Sequence, residues 1–160
     1  MPVPANITII SGGQTGADRA ALDFAIANGL AHRGWCPRGR RAEDGELSPC
    51  YALQETPSNR YSQRTEWNVR DSDATVIFGI KSALTGGTRL THELAQRLRK
   101  PVLVLSRDQN DVQSAASQLR SFAEQHNIRA LNVAGPRASQ EPEIGAFVTT
   151  VLAAAFLDCR

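Results

Sequence analysis

The stretch ITIISGGQTGADRAALDFA, residues 7–25, contains a complete strand, turn and helix. Residues 7–10 form a short β-branched run that ends at a glycine-rich turn, which is the pattern of a buried strand. After the turn, apolar residues recur at the spacing of one helical face: Ala17, Ala20, Ala21, Phe24 and Ala25. Gly29 then supplies a helix stop. The stretch therefore predicts a strand, a tight turn and an amphipathic helix in direct succession.

The same alternation of strand and helix continues along the chain. Short apolar runs predict buried strands at 74–78, 102–105 and 130–133, and a weaker strand at 31–35. Helical spacing predicts four further helices, at 61–72, 85–98, 112–123 and 141–157. Because strands buried on both faces cannot alternate polar residues, this order indicates βαβ units. We therefore expect an α/β fold over residues 1–160, a single Rossmann-like, doubly wound domain. Its mainly parallel sheet should have about five strands, with helices on both faces.

Residues 37–59 interrupt this pattern. They contain three prolines and two glycines and show no sustained hydrophobic period. Arginines lie on both sides of a short acidic run, at Arg38, Arg40 and Arg41 and at Arg60, Arg64 and Arg70. A stretch of this length without secondary structure is uncommon inside a compact domain and is usually functional or mobile. A solvated loop explains the same composition, so the sequence leaves the role of residues 37–59 open.

The composition indicates a folded globular protein and narrows its partners. Hydrophobic residues make up 41% of the chain and charged residues 21%, as in ordinary globular domains. The net charge of +2 and the 6% of aromatic residues supply few phosphate partners or stacking platforms, so nucleic acid is not the expected partner. No stretch has a leader pattern or the apolar length of a membrane span, and we expect a cytoplasmic protein. The three cysteines show no metal-ligand spacing, and no protein-bound metal is expected.

The first glycine-rich turn, SGGQTGAD at residues 11–18, has the form of an anion-binding turn. Glycines allow the backbone to bend tightly and to approach a ligand, in front of the free N–H groups of a helix start. The candidate site residues of this turn are Gly12, Gly13, Gln14, Thr15, Gly16 and Asp18. The turn matches neither G-x-x-x-x-G-K-S/T nor G-x-G-x-x-G, which argues against an ordinary ATPase or NAD dehydrogenase.

A second glycine-rich turn, LTGGTRLTHE at residues 84–93, follows another predicted strand. Threonine capping explains Thr85 or Thr88. It does not explain a Gly-Gly pair, which weakens a helix start unless a ligand must come close to the backbone. The candidate site residues of this turn are Thr85, Gly86, Gly87, Thr88 and Thr91.

The two turns and one helix start are predicted to meet at the same edge of the sheet. In open parallel sheets, ligands bind beyond the carboxyl ends of the strands, where helix N-termini also point. We therefore expect backbone N–H groups of residues 12–16 and 86–88 to hold one phosphate. The helix predicted from Tyr61 begins at this edge, so Arg60 or Arg64 would balance the remaining negative charge.

Three segments resemble a known family: SGGQTGADRAALDFA at 11–25, RTEWNVRDSDATVIF at 64–78, and LTGGTRLTHELAQ at 84–96 with the following KPVLVL. In order and spacing they resemble the putative molybdenum cofactor carrier family, the circularly permuted YpsA-like branch of the SLOG superfamily. The resemblance implies a Rossmann-like protein that senses, carries or processes a nucleotide-derived ligand, and a homo-oligomer. It implies a site made of Gly12, Gly13, Thr15, Gly16, Asp18, Gly86, Gly87 and Thr88.

The same superfamily includes phosphoribohydrolases with the motif P-G-G-x-G-T-x-x-E, and this resemblance leaves two functions open. Thr91 stands where that motif has its glutamate, and Glu93 would project from a different side of the helix. The leading hypothesis is therefore a carrier of a phosphate-bearing nucleotide- or pterin-type ligand, with molybdenum cofactor as a candidate and no catalysis. The alternative is an enzyme that hydrolyses a nucleotide N-glycosidic or phosphate bond, with Asp18 or Glu66 in place of the glutamate. A dimer or tetramer is expected, and the sequence does not identify the ligand.

Overall fold

The computed structural model describes residues 6–157 and contains strands and helices in the alternation that the sequence predicts. In chain order the elements are β1 (Thr8–Ile10), α1 (Ala17–Ala27), β2 (His32–Arg33), β3 (Trp35–Cys36), β4 (Arg41–Ala42), β5 (Gly45–Glu46), β6 (Gln54–Glu55), α2 (Tyr61–Arg70), β7 (Ala74–Gly79), α3 (Gly86–Arg97), β8 (Val102–Ser106), α4 (Val112–Gln125), β9 (Ala130–Ala134) and α5 (Ile144–Phe156).

Five of the strands form one parallel sheet in the order β2-β1-β9-β7-β8. Every residue of β7 is buried, which is why this strand is a continuous apolar run with only one threonine. Helix α5 contacts both α1 and α4, and α2 contacts α3, so helices flank the sheet. The predicted Rossmann-like α/β fold, with its parallel sheet of five strands, is confirmed.

The central position of β9 determines which loops become neighbours. Asn132 of β9 pairs with Ile10 of β1 on one side and with Thr75 of β7 on the other. The carboxyl ends of β1, β9 and β7 therefore lie side by side. As a result, the turns that follow these three strands share one edge of the sheet.

The strand predicted at 31–35 is divided in the structure. Strand β2 covers only His32–Arg33, and Trp35–Cys36 pairs with β6 in a separate two-stranded sheet. Gly34 between them has a φ of +151°, and a Cβ there would lie 2.1 Å from the carbonyl oxygen of Ser11. The chain leaves the main sheet at this glycine because only glycine combines that backbone angle with so close a contact.

Residues 37–59 are ordered by short-range pairing that the sequence does not reveal. Strands β4 and β5 form an antiparallel hairpin. The guanidinium of Arg40 donates to the backbone carbonyls of four residues, Leu47, Ser48, Tyr51 and Leu53, at 2.8–3.3 Å. A small second core of Leu22, Cys36, Ala42, Leu47 and Leu53 lies beneath them. The stretch that was expected to lack secondary structure is therefore ordered. The sequence did not predict this order because the bonds of one arginine and strands of two residues leave no hydrophobic period.

A further difference is local. The last helix begins at Ile144 rather than at 141, because residues 142 and 143 form a turn before it.

Cys36 is buried and Cys50 exposed, both as free thiols, while Cys159 lies outside the described residues. Between residues 6 and 157, none of the helices has the length and apolar character needed to cross a membrane.

One of the contacts that join residues 37–59 to α1 gives a testable titration. The phenol of Tyr51 donates to Asp23 Oδ1 at 2.6 Å. Burial, and then this bond, raise the pKa of Tyr51 from 10.0 to about 12. The folded protein therefore keeps the phenol proton after the unfolded chain has lost it, and the free energy of unfolding should fall as the pH rises from 10 to 12. Absorbance titration should show a late phenol ionisation that Tyr51→Phe removes and Tyr61→Phe, the matched control, retains.

Candidate ligand-binding site

The two glycine-rich turns meet in one cavity at the carboxyl edge of the sheet. The first turn contributes Gly12 and Gln14, the second contributes Gly87 and Thr88, and β9 with its following turn contributes Asn132 and Arg137. The enclosed volume is about 80 Å³. That volume holds several water molecules or one oxyanion, and is smaller than the ~300 Å³ or more of a whole small-molecule site.

The backbone of the first turn is largely occupied by the protein itself. The N–H of Gly13 donates to Ser11 Oγ at 3.3 Å, and the N–H of Gln14 donates to Asp18 Oδ2 at 3.2 Å. The N–H of Thr15 donates to Gln14 Oε1 at 3.1 Å. Neighbouring side chains already accept from these three N–H groups, so a phosphate would bind to them only by displacing those acceptors.

The side chain of Gln14 offers a donor in their place. Its Oε1 accepts from the N–H of Thr15 at 3.1 Å and from the N–H of Glu43 at 2.8 Å, which fixes the orientation of the amide. Its Nε2 is buried and has no acceptor among residues 6–157, although Gln14 lines the cavity. A buried donor without a partner costs roughly 1–3 kcal/mol, so an acceptor supplied by a ligand would relieve that cost.

A buried ion pair forms the inner wall of the cavity. Arg64 Nη1 lies 2.8 Å from the carbonyl oxygen of Gly12, to which it donates, and 3.4 Å from Asp18 Oδ2. A Cβ at Gly12 would lie 2.2 Å from the same nitrogen, so this glycine makes room for the arginine. Burial raises the pKa of Asp18, and the charge of Arg64 opposes that rise. Together, the two side chains nearly cancel each other's charge.

The second turn leaves its backbone N–H groups open. Gly86 and Gly87 are the first two residues of α3, and no acceptor for their N–H groups is found in the described chain. A Cβ added at either glycine would meet no atom within 4 Å. Such a helix start carries a partial positive charge and binds anions. This is the part of the backbone that can receive a phosphate.

The threonines of the second turn hold its shape. The N–H of Thr85 donates to Thr88 Oγ1 at 3.3 Å, and that hydroxyl donates to the carbonyl of Thr85 at 2.7 Å. The hydroxyl of Thr91 donates to the carbonyl of Gly87 at 2.8 Å. These bonds cap the first turn of α3 and fix its direction. Thr88 and Thr91 also line the cavity.

Six predicted site residues lie outside the cavity lining: Gly13, Thr15, Gly16, Arg60, Thr85 and Gly86. Thr15 Oγ1 donates to the carboxylate of Glu43 and accepts from the N–H of Ala138 at 3.1 Å. Gly16 lies against the turn that follows β9, where a Cβ would be 2.4 Å from the carbonyl oxygen of Pro136. The side chain of Arg60 is exposed, and its N–H donates to Ser58 Oγ. Thr15 and Gly16 thus join neighbouring turns, and Arg64 rather than Arg60 reaches the site.

Asn132 and Arg137 are two polar residues of the cavity lining that were not among the predicted site residues. Asn132 is a buried polar residue in a central strand, and its Nδ2 donates to Thr75 Oγ1 at 3.2 Å. A polar side chain inside an apolar run is the signal that could have identified it. Arg137 lies in the turn at 134–137, which the rule that ligands bind at carboxyl ends of strands does select, although Arg137 itself was not named as a site residue.

A second recess adjoins the cavity and has more apolar walls. Ile80, Leu84 and Pro136 line it, and it shares Thr88, Pro136 and Gln140 with the cavity. Its volume is about 410 Å³, which suits a planar ring of the nucleotide or pterin kind. Within residues 6–157, no three His, Cys, Asp or Glu side chains gather as metal ligands.

Fold and site together define a Rossmann-like protein with a polar cavity at the carboxyl edge of a parallel sheet. The model of the circularly permutated YpsA SLOG family matches residues 9–156, and the chain belongs to this family. A crystal structure described as a putative molybdenum carrier protein from Syntrophus aciditrophicus is similar to it. The two are 47% identical over 95% of this chain and 96% of that one, with a TM-score of 0.93. No curated protein matches the chain significantly. The family resemblance stated from the sequence is confirmed.

Proposed function

We propose that this protein binds and carries a phosphate-bearing ligand of the nucleotide or pterin class, with molybdenum cofactor as the first candidate. The observation that carries the proposal is the buried, unpartnered Nε2 of Gln14, a residue that lines the same cavity as Gly87 at the open start of α3. A phosphate oxygen would accept from Gln14 Nε2, and others from the N–H groups of Gly86 and Gly87. Assembly into a dimer or tetramer stays a prediction.

The residues that line the cavity and the adjoining recess suit the phosphate end and the ring of such a ligand. The enclosed cavity is large enough for one phosphate, and the adjoining recess has room for a ring beside Ile80, Leu84 and Pro136. Molybdenum would travel as part of the cargo, since the donors at the site are amides and guanidinium groups suited to oxyanions. The similar crystal structure, described as a molybdenum carrier, supports the same choice of first ligand.

Hydrolysis of the bound ligand is the second candidate function, and one observation favours it. Asp18 lines the cavity, and burial raises its pKa, which is a property of general acids. Glu66, the other carboxylate considered, does not line the cavity. Release of free base or phosphate that Asp18→Asn abolishes would support an enzyme. If the protein bound members of a nucleotide panel without forming any product, the carrier function would be supported instead.

Replacing the donor of Gln14 with an acceptor tests the carrier proposal. Gln14→Glu keeps an oxygen for the N–H groups of Thr15 and Glu43 but puts a second oxygen where Nε2 was. Loss of one hydrogen bond to a charged group costs about 1.5–3 kcal/mol, so affinity should fall roughly 10- to 150-fold. Calorimetric titration with inorganic phosphate, AMP and molybdenum cofactor measures the change.

Gln63→Glu is the matched control for this substitution. Gln63 also accepts a backbone N–H, from Ser58 at 2.8 Å, but does not line the cavity. It should bind each ligand like the wild type. Equal affinities of the Gln14 variant and the wild type would refute the assigned role of Nε2, and no binding of any phosphate compound by the wild type would refute the carrier.

A further inference from the structure

Three arginines surround one tyrosine ring beside the cavity. The guanidinium carbons of Arg41, Arg64 and Arg137 lie 4.8, 5.3 and 5.3 Å from the centroid of the Tyr61 ring. Arg64 and Arg137 also line the cavity, so this arginine cluster is continuous with the site of the proposed phosphate. Tyr61 is the first residue of α2 and lies partly buried at the same edge of the sheet.

The positive charge of the arginine cluster is only partly balanced by the protein. Of its three members, only Arg64 forms an ion pair in the described chain, with Asp18 at 3.4 Å. Arg41 Nη1 donates to the neutral carbonyl of Asn59 at 3.1 Å. The nearby carboxylate of Glu43 is bonded to Ser139 and Thr15. Like charges held close together repel, and a bound anion removes that repulsion.

The hairpin β4–β5 holds Arg41 in place. The turn of this hairpin is tied to the first glycine-rich turn, since the N–H of Glu43 donates to Gln14 Oε1 at 2.8 Å. The carboxylate of Glu43 accepts from the hydroxyl of Ser139 at 2.5 Å, in the loop after β9. Residues 37–59 therefore bring a third guanidinium to the site from a segment with no helix or long strand.

The cavity thus has two anion-binding walls. One consists of Gln14 and the start of α3, and the other consists of Arg64 and Arg137, the two members of the arginine cluster that line the cavity. The cavity volume of about 80 Å³ suits one phosphate, and Arg41 lies outside the cavity lining. Arginine binds phosphate through two parallel N–H donors, so the outer wall suits a second phosphate group.

We propose that the ligand carries two linked phosphates, one at the start of α3 and Gln14, the second between Arg41 and Arg137 beside Tyr61. This inference rests on the proposed function and specifies its ligand as a diphosphate compound. A nucleoside diphosphate presents the second phosphate as a terminal group, and a dinucleotide-like compound presents it as a bridge. The arginine cluster recognises the diphosphate in either case.

Calorimetric titration with AMP and ADP, and with inorganic phosphate and pyrophosphate, tests the inference. The wild type should bind ADP at least about tenfold more tightly than AMP, and pyrophosphate more tightly than inorganic phosphate by the same factor. One additional charge-assisted hydrogen bond stabilises a complex by about this amount. Arg41→Gln should lose most of this preference while keeping the wild-type affinity for AMP. ADP-ribose, added as a further ligand, shows whether a bridging diphosphate binds more tightly than a terminal one.

Arg38→Gln is the matched control, because Arg38 is an exposed arginine of the same segment with no contact to the Tyr61 ring. It should retain the preference for ADP, and melting curves should show both variants folded. Equal affinities of the wild type for AMP and ADP, with binding retained, would overturn the diphosphate inference alone. A loss of AMP affinity in Arg41→Gln equal to the loss for ADP would also overturn it. Absence of binding by every compound would overturn the proposed function.

Discussion

A Gly87→Asp variant is expected to be at least as stable as the wild type and yet to bind phosphate about tenfold or more weakly. Gly87 is the second residue of α3, its side-chain position is open, and it lines the cavity. A carboxylate in the first turn of a helix stabilises the helix by about 0.3–1 kcal/mol. The same charge repels an anion bound there, at an energy of a few kcal/mol for neighbouring unit charges.

The opposite signs of the two effects make this variant informative. Thermal unfolding should give an unchanged or higher Tm, and calorimetry with inorganic phosphate and AMP should show the weaker binding. Gly87→Asn is the matched control, since it adds a side chain of equal size without the charge and should retain most of the affinity. If the aspartate variant bound phosphate as tightly as the asparagine variant, the start of α3 would not be the phosphate site.

Gly16→Ala is expected to destabilise the fold by about 3 kcal/mol or more. Gly16 has a φ of +82°, and an added Cβ would lie 2.4 Å from the carbonyl oxygen of Pro136 and 2.8 Å from the nitrogen of Ala138. The backbone angle alone costs an alanine about 1–2 kcal/mol. The clash adds to this, because both contacting atoms belong to the backbone and must move with their loop.

Gly39→Ala separates the two contributions. Gly39 has nearly the same φ, +86°, but an added Cβ would have no atom within 4 Å. It should cost only about 1–2 kcal/mol in urea unfolding, from the backbone angle. If the Gly16 variant were as stable as the Gly39 variant, the turn after β9 would move easily to accommodate the added Cβ. That outcome would contradict the close packing described for this turn.

The sequence predicted the fold because burial on both faces of a parallel sheet leaves a direct trace in the chain. Strand β7 is wholly buried and apolar except for Thr75, and α4 shows the regular spacing of a helix packed on one side. The glycine turns at residues 12–16 and 86–87 were predicted to share an edge, and Gly12 and Gly87 do line one cavity. That outcome follows from strand direction alone and needs no knowledge of side-chain contacts.

The role of each glycine could not be predicted in the same way. All three in the first turn were expected to bring backbone to a ligand. In the structure, Gly12 makes room for Arg64, Gly13 for Leu47, and Gly16 for the turn at Pro136. A glycine shows that something comes close, and only the tertiary structure shows what it is. The bonds that orient Gln14 likewise depend on Glu43, which a segment without hydrophobic period brings to the site.

The position of β9 bears on the order in which a growing chain can fold. The strand nearest the carboxyl terminus separates β1 and β2 from β7 and β8. Until residues 130–134 have left the ribosome, the amino-terminal strands and the later pair have no partner that connects them. Because non-local pairings form only when every partner is present, the native sheet is completed only after β9 has been synthesised.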